Sequence, residues 1–248
     1  MIELIDQAAR WSHVLAGVVA LVVAPAAMLV RKGGAAHRRW GRVYFWGMAW
    51  IFVTTVALVV LRPNIFLLAV GALSFYSAFT ATRVLRMKLP ERDRPQLADW
   101  AGAAAALAVA AAVVLWGAAL ALGLLADRVP GGQRLPFAAL GVFFGVALAR
   151  AALDDLRRFR RPPADRHFWW YHHMGHILGS YIGAVTAFMV QTVSRWMYGV
   201  ETLAPFAWLV WVLPVAAGVP LVQRWIGSYR RRFSASGRPQ GRAPEVAQ

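Results

Sequence analysis

The sequence predicts an all-α integral membrane protein: a bundle of seven transmembrane helices, N-terminus outside and C-terminus cytoplasmic. Three observations predict it. Of 248 residues, 59% are hydrophobic and 15% charged, with a mean hydropathy of +0.51; that leaves too little polar surface to coat a soluble domain of this size. The charges are clumped, and the apolar runs between them approach the ~20 residues needed to cross a bilayer. Finally, the basic residues alternate between connections. Segments 31–42, 83–94 and 150–166 and the tail from 224 hold 22 of the 27 lysines and arginines, leaving only Arg10, Arg62, Arg128, Arg134 and Arg195 for the other side. The positive-inside rule then sets the orientation, and an even number of spans would break the alternation.

The spans follow in order. Residues 1–10 form a short external N-terminus, with Glu3 and Asp6 where a secretory signal would be basic, so the first span, 11–30, reads as a retained helix. The second and third, 43–61 and 64–82, are separated by Arg62; the fourth, 101–125, follows the basic segment 83–94. The fifth, 135–153, is interrupted near one end by Arg150, whose side chain is long enough to snorkel to the interface. The sixth covers 169–193. The seventh, 203–223, contains Pro205, Pro214 and Pro220, which are expected to kink or locally break it. Trp11, Trp40, Trp100, Trp169, Trp170, Trp196 and Trp225 fall near span ends, where an amphipathic indole prefers to sit. The membrane domain is therefore 11–226. The basic tail 227–248 reads as disordered, its first arginines lying against anionic lipid headgroups.

Several function classes are disfavoured. The net charge of +16 recurs between apolar runs rather than along one face, which argues for membrane lipids and against nucleic acid as the partner. With no cysteine there is no disulfide, thiolate metal site, iron–sulfur cluster or C-x-x-C-H haem attachment. Phosphate-binding glycine loops, H-E-x-x-H and G-x-S-x-G are missing. No internal repeat suggests the inverted halves of a transporter. No carboxylate is expected deep in a span: Asp99, Asp127, Glu201 and the pair Asp154/Asp155 read as end or loop residues, the last two spaced for local ion pairs with Arg157 and Arg158.

The chemistry that remains is imidazole. In FWWYHHMGHILGSYIGA, residues 168–184, three of the six histidines fall within five positions. On a helical wheel Gly175, Gly179 and Gly183 form a small-residue ridge, with His172, His176 and Ser180 in the row beside it. Met174, Ile177, Leu178, Tyr181 and Val185 occupy the other half. Small ridges admit close helix approach, so the histidine row is expected to face the bundle and the bulky half to face lipid. Histidines at i, i+4 (172 and 176) or i, i+3 (173 and 176) can converge on a metal, and a single imidazole can ligate haem axially. His37, in RKGGAAHRRWGRVYFWGM, lies on the same side of the membrane as that cluster. His13 opens the first span in line with Gly17, Ala20, Ala24 and Ala27, about 20 Å from His176 by helical rise, with no histidine near it. The blander reading has interfacial imidazoles hydrogen-bonding headgroups, water or backbone carbonyls.

Taken together, RKGGAAHRRWGRVYFWGM after a first span carrying His13, then HHMGHILGSYIGAVTAFMV and WVLPVAAGVPLVQRW, resemble the bacterial predicted-membrane-protein family called domain of unknown function 2306. The resemblance runs from His13 to about Trp225 and rests on His13, Gly33, His37, Gly41, Tyr44, His173, Met174, Ser180 and Tyr181. It implies a multi-pass protein of the bacterial cytoplasmic membrane and carries no activity. The leading expectation is a haem b or divalent-metal site near the cytoplasmic face, with His176 and His173 as ligands, His37 as a third and His172 beside them. His13 stands apart, as a second ligand or a structural hydrogen-bonder. The alternative is a small permease or an assembly partner of a membrane complex, with structural histidines. An enzyme acting on a lipid or quinone finds no nucleophile or acid–base pair.

Overall fold

The computed structural model describes residues 1–62, 64–89, 92–125, 134–200, 202–203, 206 and 209–236. Among these are seven helices long and apolar enough to cross a membrane. They are α1 (Ile2–Leu29), α2 (Ala35–Leu61), α3 (Ile65–Arg83), α4 (Leu97–Ala121), α5 (Arg134–Arg160), α6 (Phe168–Tyr198) and α7 (Leu209–Ser236), with a 3-10 turn over Val84–Arg86. The chain is a polytopic membrane protein of seven candidate spans, as composition and charge alternation predict.

Most helices exceed the ~20 residues that the hydrocarbon core requires, and their extra turns are held by specific contacts. The segment 1–10, expected as an external extension, is helical from Ile2. There Asp6 accepts from Arg10 (2.8 Å) and from Arg62 at the end of α2 (3.1 Å), and Glu3 suits the positive end of the helix dipole. At the other extreme, α7 runs ten residues into the segment expected as disordered, because Tyr229 and Phe233 pack against Trp170 (5.5 and 5.9 Å between ring centroids). Phe233 also stacks on His167 at 4.4 Å. Helix α7 continues through Pro214 and Pro220. Pro205, Asp127, Glu201 and the tail from 237 lie outside the described residues.

Helix α3 is the most enclosed of the seven and α7 the least. The buried face of α3 is built from small residues, among them Ala69, Ala72, Ala78 and Ala81, which let α2, α4, α5 and α6 all reach it. Three apolar clusters result. One joins Ala20, Val23 and Ala24 of α1 to Tyr44 and Met48 of α2 and Ala78 of α3. Another joins Ala72 and Tyr76 of α3 to Ala103, Ala106 and Ala110 of α4 and Leu148 and Ala152 of α5. The third joins Ala69 and Val70 of α3 to Val113 of α4 and Phe144 of α5.

Helix α6 lies between α3 and α7 and also touches α1, which corrects the expected division of its faces. Ile177 and Tyr181 pack on the α1–α2 cluster, Tyr181 donating to the Leu21 carbonyl (3.4 Å), and Leu178 is buried. The bulky half therefore meets protein rather than lipid. Gly179, expected on the packing ridge, is exposed, and a Cβ there would meet nothing within 4 Å. Gly183, on the same ridge, does pack closely, since a Cβ there would clash with Ser74 of α3. A further close crossing lies between α4 and α5, where Gly117 faces Gly141 and Gly145 faces Ala110 and Val114.

Cross-helix contacts define two ends. At one, the last turns of α1, α3, α5 and α7 meet the first turns of α2, α4 and α6; this is the arginine-rich end. Asp99, 1% exposed at its side chain, receives Arg83 in bidentate fashion (2.7 and 2.9 Å). Arg83 also donates to Gln96 (2.7 Å), which with Asp99 caps α4. This knot fastens α4 to α3.

Candidate functional site

The polar side chains at the arginine-rich end begin with helix periodicity. Residues four apart share a face, so α3 presents Tyr76 and Thr80 together and α6 presents His172 and His176. Asp155 and Arg158, three apart on α5, share the facing side. These three helices meet about one to two turns inside their ends, 6–8 Å by helical rise.

Asp155 is the hub and is 1% exposed. Its Oδ2 accepts from Tyr76 (2.8 Å) and Thr80 (2.5 Å), and its Oδ1 from Arg158 (2.7 Å). His172 Nε2 stands 3.4 Å from the same carboxylate and 3.0 Å from Thr80 Oγ1. A hydroxyl has one proton. Thr80 gives it to Asp155, so its oxygen accepts from His172, and the network assigns the proton of that imidazole to Nε2. His172 and His176 then lie ring against ring, 4.1 Å between centroids. Arg158 keeps two buried groups, Nε and Nη1, without a protein partner among the described residues.

His173 points elsewhere, because successive helical residues diverge by about 100°. Its Nδ1 donates to the Ala81 carbonyl at 2.7 Å. His37, in the first turn of α2, makes the matching bond from Nδ1 to the Ala27 carbonyl at 3.0 Å. A carbonyl only accepts, so both rings carry Nδ1–H and each leaves Nε2 with its lone pair free. The two rings stand 6.4 Å apart at an interplanar angle of 76°.

The expected histidine ligands thus sort into pairs. His37 meets His173, and His172 meets His176 within the Asp155 network. Among the described residues no three histidine, aspartate or glutamate side chains stand close enough to hold one metal ion, so His176, His173 and His37 are not preassembled as a trio. His13 is separate, its Nδ1 bonded to Thr54 at 2.9 Å. Thr54 spends its own proton on the Trp50 and Ile51 carbonyls, so His13 donates from Nδ1 and this bond links α1 to α2.

No family model, curated protein or solved structure matches this chain. The site is therefore read from its own chemistry.

Asp155 is the residue that sequence reasoning passed over. The ion pair with Arg158 is there as spacing predicted, but it is buried and shared with two other helices. The available signal was on α3, where Ser74, Ser77 and Thr80 repeat every third residue beside Tyr76 in a span whose preceding residues from Ile65 to Leu73 are apolar or glycine. A polar stripe on a membrane helix calls for a polar partner. Tyr44 and Ser180, both buried, form a further link of 2.9 Å between α2 and α6. Tyr44→Phe is expected to cost about 1–3 kcal/mol, because it strands the Ser180 hydroxyl. Adding Ser180→Ala should recover most of that loss, and thermal unfolding of the two single variants and the double variant in detergent measures the coupling.

In the loop between α1 and α2, Lys32 donates to the Met28 carbonyl. Partial burial pushes its ammonium below the usual lysine pKa.

Proposed function

We propose that the arginine-rich end binds a late transition metal, as haem iron or as a free ion, through His37 and His173. That end faces the cytoplasm by the positive-inside rule, in a bacterial cytoplasmic membrane as the resemblance implies. The observation that carries the reading is the matched pair of Nδ1–H bonds to the Ala27 and Ala81 carbonyls. Metal-ligating histidines commonly anchor one ring nitrogen on a carbonyl or carboxylate, which fixes the tautomer and raises the basicity of the other.

The two ring centroids stand 6.4 Å apart, near enough that His37 and His173 would together hold one ion, each imidazole supplying a nitrogen donor. His176 and His172, expected as foremost and neighbouring ligands, stay with the Asp155 network in this reading. The permease alternative gains a buried carboxylate in Asp155, but one already saturated by donors.

The test is an absorption spectrum with metal analysis on protein purified in mild detergent from cells supplied with iron, copper and haem precursor. The expected result is a Soret band or about one metal per chain, reduced at least tenfold in His173→Ala and His37→Ala and retained in His13→Ala. A colourless, metal-free wild-type preparation, or full retention in both ligand variants, would overturn the reading.

A further inference from the structure

A groove of about 680 Å³ runs along the outer side of the α1–α2 pair. Its walls are Leu15 and Val19 of α1 and Val43, Trp46 and Trp50 of α2, and its head carries Arg39 and Arg42. It is not part of the histidine site: His37, His173 and Asp155 do not line it.

We infer that this groove is a binding site for one anionic phospholipid, its phosphate on Arg39 and Arg42 and an acyl chain along the tryptophans. The two arginines are exposed, have no carboxylate partner among the described residues, and are the basic residues that line the groove. At i, i+3 spacing they share one face of α2. Below them the lining is apolar except for Ser12, and Trp46 and Trp50, 68% and 51% exposed, stand away from the belt positions at the span ends.

Length supplies an independent check. From Arg39 to Trp50 the helix rises about 16 Å at 1.5 Å per residue. One leaflet of a ~30 Å hydrocarbon core is about 15 Å. The groove therefore reaches from headgroup depth to the middle of the bilayer, the extent of a single acyl chain. Gly47 and Ala16 form the floor, where a Cβ on Gly47 would stand in van der Waals contact with the Ala16 carbonyl and Ala20 Cβ, each at 3.8 Å.

Charge complementarity makes the preference quantitative. A basic residue near an anionic surface favours binding by about 1 kcal/mol, about fivefold, so two give about 25-fold. Native mass spectrometry of the full chain, exchanged into micelles with equal phosphatidylglycerol and phosphatidylcholine, reads it out. The expected result is one phosphatidylglycerol retained per chain, at least tenfold over phosphatidylcholine. Arg39→Gln with Arg42→Gln should bring the two lipids to equal retention. Ala16→Phe, which fills the groove and leaves both arginines in place, should abolish retention of either lipid. Equal retention by the wild type, or a preference unchanged in the arginine variant or in Ala16→Phe, would overturn the inference. Neither variant touches His37 or His173, so loss of lipid with an unchanged spectrum separates this site from the metal reading.

Discussion

Asp155→Ala is expected to lower the unfolding midpoint in mild detergent by about 10 °C. The carboxylate satisfies Tyr76, Thr80 and Arg158 at once and lies beside His172. Its removal leaves the Arg158 guanidinium, 10% exposed, as an uncompensated buried charge whose Nε and Nη1 already lack partners among the described residues. Removing one member of a buried pair costs about 3–5 kcal/mol, and each kcal/mol moves the midpoint about 2–4 °C in a chain of this size. Removing both members separates the causes. If uncompensated charge dominates, Asp155→Ala with Arg158→Met should recover at least half of the loss. Asp155→Asn, which keeps an acceptor for Tyr76 and Thr80, should then stay close to Asp155→Ala. If the hydrogen bonds dominate, Asp155→Asn should instead approach the wild type. A midpoint for Asp155→Ala within 2 °C of wild type would remove Asp155 as the tie between α3, α5 and α6.

That network also marks where reading from sequence stops. The seven spans were legible because hydropathy and the alternation of arginine are properties of segments, and each segment carries its own evidence. The meeting of His37 with the histidines of α6 could be posed, since both were placed on the same side of the membrane. Which imidazole it meets depends on the rotation of α6 about its axis, and that is set by neighbours. The small ridge of Gly175, Gly179 and Gly183 suggested one rotation. Gly183 does lie against Ser74 of α3, but Gly179 is exposed while Ile177 and Tyr181 pack on α1 and α2, and in that rotation His173 rather than His176 comes beside His37. Asp155 was misplaced for a related reason. Ending the fifth span at 153 put it at a boundary, whereas α5 continues to Arg160 and keeps the carboxylate among three helices. Local spacing predicted the Arg158 partner correctly and carried no information about Tyr76 or Thr80, 79 and 75 residues away.

Gly145→Leu is the second large effect, and it tests which glycines hold the bundle together. A Cβ on Gly145 would stand 2.6 Å from Val114 Cγ2, 3.0 Å from the Ala110 carbonyl and 3.1 Å from the Val114 amide nitrogen. Two of those three atoms are α4 backbone, so no side-chain rotation makes room and the helices must separate. Gly117 on the opposing face meets α5 backbone in the same way, 3.0 Å from Ala138 O and from Val142 N. Close backbone approach is what drives association inside a bilayer, where apolar side chains gain little by leaving lipid. Overpacking such a contact costs about 1–3 kcal/mol for modest insertions, and a leucine exceeds that. The expected result is a midpoint at least 8 °C below wild type, with Gly145→Ala between the two. Gly179→Ala supplies the contrast, since its Cβ enters open space and alanine is the better helix former by about 1 kcal/mol. It should match or slightly exceed the wild type. The reverse order, with Gly179→Ala harmful and Gly145→Leu tolerated, would put a close crossing at Gly179 and require a different packing of α4 against α5.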